Sequence, residues 1–154
     1  EYGVEFKILK AVDEVNEEQK KSLLPKIKRL VPELKGKKVA IWGIAFKPKT
    51  DDIREAPSLT VIDQLLKEGV SVSAFDPEAE DNAKKLFPDI GYSRDPFKAL
   101  EDADCLVIVT EWDEFRDLEK EKIKSGMKSP NIVDGRNIYD PNEMKKLGFN
   151  YIGV

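Results

Sequence analysis

Residues 38–58, KVAIWGIAFKPKTDDIREAPS, are the part of the sequence that best indicates the fold. The apolar run at 39–42 predicts a buried strand. Beyond Gly43 the sequence becomes charged, and Pro48 and Pro57 stiffen its path. A helical pattern follows at once, and its predicted apolar face consists of Leu59, Ile62, Leu65 and Leu66. A strand, a charged loop and a helix in this order are typical of the ligand-binding edge of open α/β sheets.

The rest of the chain repeats this alternation of strands and helices. We predict further strands at 70–75, 91–93, 105–109, 132–133 and 151–154, with the most apolar, 105–109, at the centre of the sheet. We predict helices between them, one ending near Phe87 and others at 97–102, 118–127 and 142–147. This pattern predicts an α/β fold with a doubly wound, mostly parallel, Rossmann-like sheet.

The first 35 residues differ from this pattern. Their apolar spacing predicts one or two amphipathic helices, with Pro25 starting a second helix or kinking the first, and Pro32 ending it. We therefore divide the chain into a helical segment, 1–35, and an α/β domain, 36–154. The first helix carries apolar residues that we expect to be exposed and to hold a homodimer together: Phe6, Ile8, Leu9 and Val12.

Composition limits the possible functions. The 154 residues suit one domain, and 40% apolar residues can bury a core. A net charge of −4 argues against a nucleic-acid surface, and no apolar run approaches the roughly 20 residues that span a membrane. The chain has no histidine and one cysteine, which argues against a metal site and against histidine-based catalysis. A single cysteine fits the reducing cytoplasm.

One family matches these features. Residues 43–58, GIAFKPKTDDIREAPS, resemble the signature of the UDP-glucose/GDP-mannose dehydrogenases in their C-terminal nucleotide-sugar-binding domain. Phe75-Asp76-Pro77, Thr110-Glu111-Trp112 and the run from Asp134 to Asn137 follow in the family's order and spacing. The resemblance covers the chain from about Val15 to its end. Ala56-Pro57 and the run from Asn137 to Pro141 are most similar to the members of the family that convert UDP-glucose to UDP-glucuronate.

This resemblance implies a part of an enzyme. The family oxidises the C6 alcohol of a UDP-sugar to a carboxylate with NAD, through a thioester on cysteine. It implies that the NAD-binding N-terminal domain and the central domain with the catalytic cysteine lie outside this chain. We therefore expect no catalytic residue here and no activity from this chain alone.

Four residues are candidate ligands. By position, Lys47 is either a point charge for phosphate or a surface lysine paired with Asp51 or Asp52. The resemblance implies that Lys47 binds the substrate diphosphate and that Phe46 lies beside the nucleotide-sugar. Arg136 suits bidentate contacts with phosphate or an ordinary salt bridge, and the resemblance favours substrate. Arg54 is either a loop clamp or, by resemblance, a contact to NAD held by another domain.

Other conspicuous residues favour structural roles. We expect Asp51 and Asp52 to fix their loop, Asp76 to cap a helix, and Cys105 to be a buried hydrophobe. Trp112 is either a stacking surface for a ring or a wedge between helix and sheet. Two other functions stay open at this point: a phosphoacceptor domain like those of response regulators, and a non-catalytic assembly module.

Overall fold

We describe the backbone of residues 2–154 and the side chains of residues 7–154 in a computed structural model. The strands are β1 Lys38–Trp42, β2 Ser71–Phe75, β3 Gly91–Tyr92, β4 Cys105–Ile108, β5 Asn131–Asp134 and β6 Asn150–Gly153. The helices are α1 Tyr2–Lys21, α2 Leu23–Leu30, α3 Pro57–Lys67, α4 Glu80–Leu86, α5 Pro96–Ala99, α6 Asp113–Asp117, α7 Lys120–Gly126 and α8 Pro141–Lys146.

The strands form one parallel sheet in the order β3-β2-β1-β4-β5-β6. Helices α2 and α3 pack together against one face, while α5 and α7 pack together on the other. The predicted doubly wound α/β fold is confirmed, and β4 lies beside β1 in the middle of the sheet. Because the chain reverses its direction across the sheet between β1 and β4, their carboxyl ends border the crevice where such folds bind ligands.

Two predicted elements differ in detail. The helix predicted at 118–127 is α7, which begins two residues later, at Lys120, because Leu118 has an extended conformation (φ −67°, ψ 140°). The short helix α6 before it was not predicted. On α3, Ile62 and Leu65 are fully buried as predicted, but Leu66 is 38% exposed. Val61 completes the buried face instead, next to Ile62.

The N-terminal helices behave differently from each other. The first helix ends at Lys21 and a second begins at Leu23, with Pro25 in its first turn, where the missing N–H costs nothing. Leu23 and Ile27 belong to the same hydrophobic core as the sheet. The described part of α1 instead exposes its large apolar side chains, Ile8, Leu9, Val12 and Val15. Phe6 lies outside the side chains described, and the division of the chain at residue 35 stays a prediction.

Gly43 brings the loops after β1 and β4 into contact. Its φ is +90°, and a Cβ at this position would lie 2.5 Å from the Cβ of Thr110. Any side chain here would therefore push the two central loops apart. Within residues 2–154, no helix combines the length and the apolar character needed to cross a lipid bilayer.

Candidate functional site

A cavity of about 800 Å³ lies at the carboxyl ends of the central strands. Phe46 follows β1, Val109 follows β4, and Gly135 and Arg136 follow β5, and all four line it. The first helix and the start of α2 supply further lining residues, among them Lys20. This volume falls within the range of small-molecule sites, and its position is the switch point of the sheet.

Phe46 offers the cavity an aromatic surface. Its side chain is 50% exposed, although the two residues before it, Ile44 and Ala45, are buried. The backbone is nevertheless fixed, because the Phe46 N–H donates to the carbonyl of Asp52 at 2.8 Å. An exposed ring on a fixed backbone can lie against the flat face of a ligand.

Arg136 is fixed through its backbone by a buried carboxylate. Asp134 is fully buried at the end of β5, and its Oδ1 accepts a hydrogen bond from the Arg136 N–H at 3.0 Å. Its Oδ2 accepts from the Ile138 N–H at 2.9 Å and from the Tyr151 hydroxyl at 2.7 Å. Asp134 had no role predicted from the sequence. The available signal was an acid ending an apolar strand directly before glycine.

The side chain of Arg136 is also held. Its Nε donates to Oε2 of Glu111 at 2.5 Å, and this hydrogen bond lowers the pKa of the Glu111 carboxyl below its usual range. Among the side chains described, no group accepts a hydrogen bond from Nη1 or Nη2 of Arg136. The predicted salt bridge therefore exists, and it leaves the end of the guanidinium available to a ligand.

Lys47 and Arg54 lie outside this cavity. Lys47 is exposed and does not line it, and within residues 7–154 its ammonium forms no ion pair with Asp51 or Asp52. Asp52 instead pairs with Arg54, whose Nε donates to Oδ1 at 3.0 Å and whose Nη2 donates to Oδ2 at 2.8 Å. These hydrogen bonds lower the pKa of Asp52 to about 2. The expected loop clamp is confirmed for Arg54, which lines a separate shallow pocket beside Asn82.

Asp76 organises the turn after β1. Its buried carboxylate accepts hydrogen bonds at Oδ2 from the Ile44 N–H (2.6 Å), the Ala45 N–H (2.9 Å) and the Trp112 indole N–H (3.2 Å). The role predicted for Asp76 was wrong in detail, since α4 begins at Glu80 and has no side-chain cap. Trp112 is 8% exposed, so it is a wedge and not a stacking surface.

The hydrogen bonds of Asp76 decide whether the turn after β1 can bind a dinucleotide. In a Rossmann turn, the pyrophosphate lies against backbone N–H groups at the end of the first strand. Here the N–H groups of Ile44 and Ala45 already donate to Asp76. A second anion at this turn would meet a buried carboxylate, so the residues present do not fit the pyrophosphate of NAD.

The remaining candidates have structural roles. The side-chain amide of Asn82 donates to Oδ2 of Asp51 at 3.2 Å, and Asp52 binds Arg54, so both acids fix their loop. Among residues 7–154 no cluster of acids and cysteine could hold a metal ion. Cys105 is fully buried, and burial raises the pKa of its thiol to about 12, as expected of an inert core cysteine.

Sequence comparison identifies the group of proteins to which this site belongs. The profile described as the UDP-glucose/GDP-mannose dehydrogenase family, UDP binding domain, matches residues 40–141. The chain belongs to this family. The matched range contains most of β1 and its loop, β4, β5 and the loop that carries Arg136, whereas α1 and the start of α2, which also line the cavity, precede it.

Individual members agree with this assignment. The UDP-glucose 6-dehydrogenase of Pseudomonas aeruginosa is 43% identical over 99% of this chain and 35% of its own length. That of Rhizobium meliloti is 45% identical over 79% of this chain and 28% of its own length. A UDP-glucose dehydrogenase structure from Pyrobaculum islandicum, 31% identical, matches 87% of this chain and 30% of its own with a TM-score of 0.76. The chain thus spans about a third of the length of these relatives.

Proposed function

We propose that this chain forms the UDP-sugar side of the active site in an NAD-dependent nucleotide-sugar dehydrogenase. The observation that carries the proposal is a cavity at the carboxyl ends of β1, β4 and β5, in which an exposed aromatic ring and an anchored guanidinium face one space. The proposed reaction oxidises the C6 alcohol of the sugar to a carboxylate, converting UDP-glucose to UDP-glucuronate. Membership of the family and the names of its relatives support this choice.

Each ligand residue has a proposed part. Arg136 donates to the diphosphate through its terminal nitrogens, because its Nε already binds Glu111. Lys47 supplies a second positive charge, and its flexible four-carbon stem allows the ammonium to turn from solvent toward the bound ligand. Phe46 lies against the nucleotide-sugar. Since the two cations meet charge that every UDP-sugar carries, they hold the substrate without selecting its sugar.

NAD is proposed to bind mainly outside this chain. NAD held there would supply the acceptor for the hydride that the oxidation removes from the sugar. The turn after β1 does not fit its pyrophosphate, whereas Arg54 stands on an exposed loop where a cofactor held by another domain could reach it. No catalytic residue is assigned here, and the chain alone should not form NADH from NAD and UDP-glucose. Steady NADH formation by the purified chain would contradict the proposal that NAD binding and catalysis require parts outside this chain.

Assembly is a second proposed role. Helix α1 exposes apolar residues along one stretch. This chain matches about a third of the length of its family relatives, so the part of a relative outside the match is about twice as long as this chain. We propose that α1 supports a homodimer and that further domains of the same enzyme complete the cleft. The proposed compartment is the cytoplasm, in keeping with a single buried cysteine.

Calorimetric titration with UDP tests the ligand residues. The chain should bind UDP weakly, and Lys47→Ala or Arg136→Ala should each weaken binding about tenfold or more, because a charge-assisted hydrogen bond contributes roughly 1.5–3 kcal/mol. Lys49→Ala is the matched control, since Lys49 is also exposed but follows the turn at Pro48. Both test residues are at the surface, so the variants should keep the stability of the parent.

Two results would count against the proposal. Equal losses in Lys47→Ala and Lys49→Ala would mean that the loop is a diffuse basic patch. Absence of binding by the unmodified chain at millimolar UDP would mean that it does not form the proposed site.

A further inference from the structure

We infer that Glu111 is a positioning residue that aims the guanidinium of Arg136 at the ligand. The inference rests on the proposed function, because it concerns the orientation of the same arginine. Glu111 itself does not line the cavity, whereas Arg136 does. Its carboxylate and the Arg136 side chain are about one-third exposed, at 32% and 38%, so the pair lies at the rim where a ligand would enter.

Glu111 is held between two anchored neighbours. The hydroxyl of Thr110, which is fully buried, donates to the carbonyl of Ala45 at 2.6 Å. On the other side, the indole N–H of Trp112 donates to the carboxylate of Asp76 at 3.2 Å. The backbone of Glu111 between them therefore has little freedom to move, and this places its carboxylate within hydrogen-bond distance of Arg136.

Arg136 is consequently fixed at two points. Asp134 accepts from its backbone N–H, and Glu111 accepts from its Nε. Asp134 is the last residue of β5, and Glu111 lies in the loop after β4, so the pairing of these two strands brings the two carboxylates to the same edge of the sheet. A further contact steadies the loop, since Nη1 of Arg116 donates to the carbonyl of Ile138 at 3.0 Å.

The chemistry of the guanidinium gives this geometry a consequence. Arginine can bind phosphate side-on, through Nε and one terminal nitrogen, or end-on, through both terminal nitrogens. Glu111 occupies Nε, so the diphosphate must approach end-on. The carboxylate also repels the ligand, which is the opposing effect. We expect orientation to dominate, because an arginine already ordered before binding avoids the entropic cost of immobilising its long side chain.

A double-mutant cycle with UDP measures this coupling. The variants are Glu111→Ala, Glu111→Gln, Arg136→Ala and the double variant Glu111→Ala with Arg136→Ala. Glu111→Ala should weaken UDP binding about fivefold, as expected when one long side chain must be ordered on binding. It should have no further effect once Arg136 is replaced. Glu111→Gln should bind like the parent, because its amide oxygen still accepts from Nε.

The control and a second measurement separate positioning from general stability. Glu119→Ala removes a carboxylate from another exposed ion pair, with Lys122, and should leave UDP binding unchanged. In the ligand-free chain, NMR should show an Nε–H signal of Arg136 that exchanges slowly with water and becomes fast-exchanging in Glu111→Ala. A merely structural role for Glu111 would lower stability without moving this signal.

The outcomes distinguish this inference from the proposed function. Unchanged or tighter UDP binding in Glu111→Ala, or a full loss that adds to that of Arg136→Ala, would overturn the positioning role alone. Rapid exchange of the Nε–H in the unmodified chain would do the same. An unaffected affinity in Arg136→Ala would instead overturn the assignment of Arg136 as a ligand, and with it the reason for a positioning residue.

Discussion

Two buried carboxylates hold the loops that form the cleft. Asp76 lies directly after β2, and Asp134 is the last residue of β5. Each accepts hydrogen bonds from backbone N–H groups on its own loop and from a side chain elsewhere. Neither acid touches the cavity, yet together they fix the turn before Phe46 and the loop of Arg136. The positions of the proposed ligand residues at this edge of the sheet therefore depend on two acids that do not line the cavity.

Replacing Asp76 with asparagine tests this dependence. The amide would place an NH₂ where an oxygen now accepts hydrogen bonds, leaving buried donors such as the Ile44 N–H without a partner. We expect the free energy of unfolding, measured with urea, to fall by about 3 kcal/mol or more, since a buried unsatisfied group costs roughly 1–3 kcal/mol. Asp89→Asn, at an exposed position, should change it by less than about 0.5 kcal/mol. A loss of under about 1 kcal/mol for Asp76→Asn would refute the clamp.

The sequence shows which residue types stand at the ends of strands, but not which of them touch. The position of Arg136 at the edge of the cavity was predictable because an apolar strand precedes its loop, whereas Phe46 was singled out only through the family resemblance. The pairing of Arg136 with Glu111, 25 residues apart, depends on β4 lying beside β5 and has no local signal. For the same reason Asp76 looked like a helix cap, since its partners Ile44 and Trp112 are distant in sequence.

At the scale of elements, strand positions were easier to predict than helix ends. Buried parallel strands are continuous apolar runs, such as β4, so their sequences identify them directly. The short helix α6 was not predicted, and the predicted start of α7 was too early because Leu118 is a good helix former that has an extended conformation in the fold. Helix α1 was predicted, and its large apolar side chains within residues 7–21 remain uncovered.

The apolar surface of α1 predicts self-association. The double variant Leu9→Lys with Val12→Lys places two charges among side chains that are 63% and 50% exposed. In sedimentation velocity at high concentration, the unmodified chain should be a dimer and this variant a monomer, because the charges would be buried in the interface. Leu86→Lys, at an equally exposed leucine on α4, is the control and should leave the dimer intact. A monomeric unmodified chain would rule the proposal out.

At the scale of the whole molecule, the chain is a doubly wound domain with a cavity at the carboxyl edge of its sheet. The sheet brings Phe46 and Arg136 to one edge, and α1 adds Lys20, whose ammonium bridges Glu17 and Glu55. The cavity thus has one wall from the sheet and one from the N-terminal helix. The family assignment and the fold were both predictable from sequence, because the signature at 43–58 is long and the alternation of strands and helices is regular.

The central claim is that this edge of the sheet binds the UDP part of a substrate and not a dinucleotide. Amide chemical shifts of the labelled chain, followed by NMR during titration with UDP and separately with NAD, test it most directly. The account predicts saturable shifts with UDP at Phe46, Lys47, Gly135 and Arg136, and no comparable shifts with NAD at Ile44 and Ala45, whose N–H groups already donate to Asp76. Saturable shifts at Ile44 and Ala45 with NAD, or UDP shifts confined to another surface, would contradict it.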